Sequence, residues 1–169
     1  MFLSSKLISE QILLESAIDL FFESIKRNHG SQYKGKIDRR FHNVLQGTLQ
    51  NTNIYFSSHF TDQIQERIYS NADLTYKELQ EFNTLFKSRI QKVLKEINKR
   101  FSFLELVDKE YCFLIWFPKT KDSFIVCLDK DFKDTTKNCL VFTTLLPRKT
   151  DNTKPTTRSN DDIFIEIQE

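Results

Sequence analysis

His59, Gln63 and Arg67 stand four residues apart in the segment Ser57-Ser58-His59-Phe60-Thr61-Asp62-Gln63-Ile64-Gln65-Glu66-Arg67. Residues four apart share one stripe of an α-helix. The spacing therefore predicts a polar ridge carrying a titratable imidazole, an amide and a fixed guanidinium. A neutral imidazole near pH 7 can take a proton from a hydroxyl or return one to a leaving oxygen. A guanidinium on the same ridge can hold a phosphate and offset charge that grows in a transition state. Ser57 or Ser58 can cap the helix, because a serine oxygen accepts from a first-turn amide. The competing reading is a helix-start histidine bonded to backbone, with Arg67 paired to Asp62 or Glu66.

Two other groups offer chemistry. Thr143, Thr144, Arg148 and Lys149 end the apolar run 139–146. A strand there would bring hydroxyls and two cations to a sheet rim, where they could clamp a phosphate. A solvated strand end would look the same. Between residues 26 and 42, Lys26, Arg27, Lys34, Lys36, Arg39 and Arg40 alternate with His29, Tyr33, Phe41 and His42, and Asp38 is the one acid. Cations beside aromatic planes suit single-stranded RNA, with Tyr33, Lys34, Lys36, Arg39 and Arg40 as the candidate contacts. A basic solvated loop is the alternative.

The chain also argues against several chemistries. With 3 Gly and 3 Pro in 169 residues, neither a phosphate-binding glycine loop nor a dinucleotide fingerprint is present. His29 and His42 lack thiol or carboxylate neighbours at ligand spacing, so no metal and no cofactor are expected. Asp129 with Asp131, and Asp161 with Asp162, read as turn residues. Cys112, Cys127 and Cys139 each lie in an apolar run, as small buried hydrophobes in a reducing compartment. The net charge of +2 does not by itself demand a polyanionic partner. No run is long enough to cross a bilayer, and no signal peptide is evident. A soluble, intracellular protein without a membrane partner is expected.

The elements that must position these groups follow from periodicity. Leu7, Ile8, Ile12, Leu14, Ile18, Phe21, Phe22 and Ile25 predict a helix over 5–28, whose apolar stripe serves the core or a protein partner. A short helix is predicted over 39–50 and a short strand over 53–56. Thr75 and Glu78 form a capping box opening a helix to about Arg100. From 101 the period changes. Strands are predicted at 103–107, 111–117, 123–128 and 139–146, joined by short polar links that favour an antiparallel meander. Trp116, Tyr111 and Phe113 read as sheet packing. Residues 148–162 are polar and aperiodic, and 163–167 could return as an edge strand. The segments divide as a helical extension over 1–52, an α+β domain over 53–149, and a polar flap with a possible edge strand over 150–169.

The order Ser57-Ser58-His59, Arg67, the helix 75–100, then Thr143 through Lys149 resembles the small metal-independent endoribonucleases of the RelE-type toxin superfamily. It is most similar to the branch encoded by tailed phages, which includes RegB-type endoribonucleases. That branch often carries Ser-x-His with arginines four and eight residues later. Gln63 departs from the pattern and removes one phosphate-binding charge. The resemblance implies an α+β fold with N-terminal helices on a four-stranded antiparallel meander, plus an extra N-terminal helix. It implies cleavage of single-stranded RNA by 2′-hydroxyl attack on the adjacent phosphate. His59 would be general acid or base, Arg67 a phosphate binder, and Arg148 with Lys149 transition-state stabilisers. Such a protein would act in the cytoplasm of a bacterial host. The alternative is a non-catalytic phage protein, either a virion component or an inhibitor of a host factor. The 16 phenylalanines favour it, since exposed aromatics build interfaces.

Overall fold

A computed structural model of the protein describes residues 5–27, 43–66, 75–146 and 162–169. Helix α1 spans Ser5–Arg27, strand β1 Val44–Leu49 and strand β2 Thr52–Phe56. Helix α2 (Ser58–Ile64) and helix α3 (Tyr76–Arg100) follow. Strands β3 (Tyr111–Phe117), β4 (Asp122–Lys130), β5 (Asn138–Leu145) and β6 (Ile163–Glu166) complete the chain.

The strands form one six-stranded sheet in the order β1-β2-β5-β4-β3-β6. Strands β3, β4 and β5 run antiparallel in succession, as the short links predict. The four-stranded antiparallel meander is otherwise overturned. Strand β2 lies parallel to β5, β6 lies parallel to β3, and β1 pairs antiparallel with β2 at one edge. The fold is α+β with a mixed sheet. The parallel pairing has a packing cause. Ile54 and Phe56 of β2 sit opposite Leu140 and Phe142 of β5 and extend the same apolar layer.

Two local expectations fail for identifiable reasons. The helix predicted over 39–50 is, from Val44, strand β1. A two-residue turn at Gln50 and Asn51, both at positive φ, folds β1 back on β2. Two positive φ values match the twist of a tight hairpin, and Glu10 of α1 accepts from the Gln50 N–H at 3.0 Å. Gly47 lets α1 approach, because a Cβ there would lie 3.1 Å from Leu14 Cδ1. The strand predicted at 103–107 is a turn-rich loop. Side chains, not a neighbouring strand, satisfy its backbone. Asn98 accepts from the Phe103 N–H at 2.9 Å. Asn138 donates to the Phe103 and Glu105 carbonyls and accepts from the Val107 N–H. With those groups satisfied, the segment needs no ladder.

The core lies between one sheet face and the helices. Helix α1 contributes Leu14, Ile18 and Phe22, spaced four apart. Helix α3 contributes Phe86, Ile90, Val93, Leu94 and Ile97. Its N-cap forms as predicted, with the Glu78 N–H donating to Thr75 Oγ1 at 3.2 Å. At the centre the rings of Phe56, Phe60, Phe86, Phe124 and Phe142 meet mostly edge-on or tilted, the arrangement that aromatic quadrupoles favour. The expected sheet packing of Phe113 and Trp116 holds, since both are buried. Among the described residues no helix is long and apolar enough to cross a membrane.

Candidate functional site

Helix α2 is short, and its position is fixed by the backbone around Ser57. Ser57 N–H donates to the Phe142 carbonyl at 3.1 Å. Its hydroxyl donates to the Thr143 carbonyl at 3.0 Å and accepts from the Phe60 N–H at 3.1 Å. One buried serine thus caps α2 and fastens it to β5. One turn on, Gln63 Oε1 accepts from the Leu145 N–H at 2.7 Å. Phe60 and Ile64 are fully buried in the aromatic core. The helix is held along β5 by two polar ties and two apolar anchors, so any group on its outer face sits on a rigid base.

His59 is that group. It is exposed, while Gln63, expected on the same ridge, is turned inward and only 8% exposed. An arginine at 63 would offer the Leu145 N–H no acceptor in place of the Gln63 carbonyl. Among the described residues no hydrogen bond holds the His59 side chain. Asp62 is the one acid on α2, and Glu66 follows the helix. Burial first, and the nearby Glu66 second, push the Asp62 carboxyl above the usual carboxylate range, and His59 pulls it partly back.

The remaining predicted site residues divide cleanly. Arg67, Arg148 and Lys149, with Tyr33, Lys34, Lys36, Arg39 and Arg40, lie outside the described residues. So does most of the flap over 148–162. Thr143 is buried and its hydroxyl donates to the Ile125 carbonyl at 3.1 Å, so it is spent on the sheet. Strand β5 delivers the chain beside α2 at Leu146, whose N–H donates to the Ser123 carbonyl at 3.0 Å. In sequence, Arg148 and Lys149 follow two and three residues later.

Three polar clusters join residues that local sequence pattern does not connect. Arg89 of α3 is 2% exposed. It bonds Asp122 at 2.7 Å, Thr120 at 2.6 Å, and Glu169 through two nitrogens at 2.9 and 3.2 Å. Its guanidinium lies 4.6 Å from the centre of the Phe117 ring. Its position three residues after Phe86 and four before Val93, on the apolar stripe, was the available signal. Asp131, also buried, accepts from the Tyr55 hydroxyl, the Asn53 amide and the Lys133 N–H. Asp131 thus ties the end of β4 to β2, and Asp129 lies within β4, whereas both are expected as turn residues. Burial, then the Asp131 charge, push the Tyr55 hydroxyl well above its usual range. Burial likewise pushes the Cys139 thiol up to about 12, with Asp131 and Asp129 adding to it.

The third cluster joins Cys112 and Cys127, directly opposite on β3 and β4 with sulfurs 3.0 Å apart. Their separation of 15 residues in sequence gave no hint of contact. The Glu110 carboxylate completes three potential ligand atoms within 4.8 Å of one another. The hydrogen bond to Cys127, then burial, push the Cys112 thiol far above its usual range. The two sulfurs are in direct contact, so the cluster reads as a packed thiol pair. A cavity of about 240 Å³ lies between α1 and α3 over Leu14, Ile18, Ile90, Leu94 and Phe103. No residue of α2 or β5 lines it. Compared with protein-family models, curated proteins and solved structures, the chain has no significant match.

Proposed function

We propose that this protein is a metal-independent endoribonuclease that cleaves single-stranded RNA, with His59 as its general acid or base. The observation that carries the reading is an exposed imidazole on a helix fastened to the last residues of β5, the strand leading in sequence to Arg148 and Lys149. General acid–base work needs a group free to exchange protons on a support that does not drift. In the proposed reaction the 2′-oxygen attacks the adjacent phosphorus and its proton passes to the base. The phosphorus–O5′ bond then breaks, and the leaving oxygen takes a proton. The products are a 2′,3′-cyclic phosphate and a 5′-hydroxyl. The attacking hydroxyl belongs to the substrate, so this route needs no metal-bound water. Arg67, Arg148 and Lys149 are the proposed phosphate ligands. The resemblance to RelE-type and RegB-type enzymes supports the same reading.

The test is a short labelled RNA incubated with the protein in excess chelator, beside the same strand with one 2′-deoxy nucleotide. The proposal requires a cyclic phosphate end and no cleavage at the deoxy position. Cleavage there, or a linear 5′-phosphate product, contradicts it. A second reading, a non-catalytic phage protein that binds a host factor, is favoured by the Asp62 carboxylate near His59, which would repel a phosphate. It predicts an intact RNA.

A further inference from the structure

The side of α1 turned away from the core carries an unusual pattern. The inner side is fixed by Leu14, Ile18 and Phe22. Acids flanking it are spent on the body of the protein: Glu10 on Gln50, Glu15 on Gln91 and Asp19 on Lys87. Opposite them, Lys6, Ser9, Leu13, Ser16, Leu20 and Glu23 are all exposed. Their spacing alternates three and four, the seam of a coiled coil. The outer face of a surface helix is normally polar, yet Leu13 and Leu20 are 68% and 71% exposed, and Ile12 beside them 58%.

The seam is complementary to its own reverse. From the N-terminal end it reads cation, small, large, small, large, anion. When two such helices are laid antiparallel, Lys6 of one faces Glu23 of the other. Leu20 then faces Ser9, and Leu13 faces Ser16. Every leucine meets a serine that leaves room for it, and every charge meets its opposite. A parallel pairing would set lysine on lysine and leucine on leucine. Two-fold symmetry demands a patch that fits itself, and this one does so only in the antiparallel sense. We infer that α1 is a dimerisation helix whose partner is α1 of a second copy of this chain, antiparallel, with the two-fold axis between the levels of residues 14 and 15.

Sedimentation of the full chain under reducing conditions tests this. Wild type should show a dimer of twice the 20.1 kDa chain mass in the micromolar range. The double variant Leu13→Glu, Leu20→Glu should be monomeric with an unchanged circular dichroism spectrum, because both side chains are exposed. Lys6→Glu alone, or Glu23→Lys alone, should weaken the dimer about tenfold through two like-charge contacts. The two reversals together should restore it. A wild-type monomer throughout, or a dimer indifferent to the leucine changes, overturns the proposal. Failure of the double reversal to restore association overturns the antiparallel pairing.

Discussion

His59 and Arg89 are both cation-forming side chains on helices that pack against the same sheet, and the fold treats them in opposite ways. Arg89 is enclosed, with Asp122, Thr120 and Glu169 taking its donors and Phe117 lying beneath it. It joins α3 to the β3–β4 turn and to the residues after β6. His59 is exposed, while Ser57 and Gln63 on either side of it make the bonds that hold α2 to β5. A buried charge persists only where its partners satisfy it. Full satisfaction therefore marks a part that holds the molecule together. An unspent titratable group on a rigid mount is the one available for a ligand.

Arg89→Ala should cost about 3–5 kcal/mol of stability, since it leaves two carboxylates facing an unfilled space. Denaturant unfolding reads this directly, and a loss below about 1 kcal/mol would erase the distinction between the two sites. The Asp131 cluster should fail at high pH. The Cys139 thiol is raised to about 12 when folded, above its ordinary value near 9, and Tyr55 is also raised. Raised groups stabilise below their unfolded values and lose that contribution as pH climbs. Melting temperature should therefore fall between about pH 9 and pH 12, and Cys139→Ala should flatten the slope. Gln63→Ala should cost about 1–3 kcal/mol, by removing the side-chain acceptor of the buried Leu145 N–H. His59→Ala should change stability by no more than about 0.5 kcal/mol.

Much of this arrangement could be read from residues, and the failures share a cause. Helices α1 and α3 follow from periodicity, and the Thr75 and Ser57 caps from local hydrogen-bond chemistry. Strands β3, β4 and β5 follow from apolar runs ended by polar links. Such signals are local. Strand β1 is not legible locally because its turn uses Gln50 and Asn51, not the glycine that usually announces a tight hairpin. The loop at 103–107 reads as a strand because Asn98 and Asn138, which satisfy its backbone, give no sign of it in the local pattern. Gln63 reads as part of an outward ridge, since helical spacing alone does not say which way a ridge faces. The parallel placement of β2 against β5 spans more than eighty residues, beyond any local signal.

The central claim is that His59 performs chemistry while its neighbours perform support. It is tested most directly by the rate of single-stranded RNA cleavage, in excess chelator, for His59→Ala beside wild type at matched folded fractions. The account predicts cleavage by the wild type and a fall of about 10²–10⁴-fold in the variant. Equal rates, or no cleavage by either protein, would contradict it.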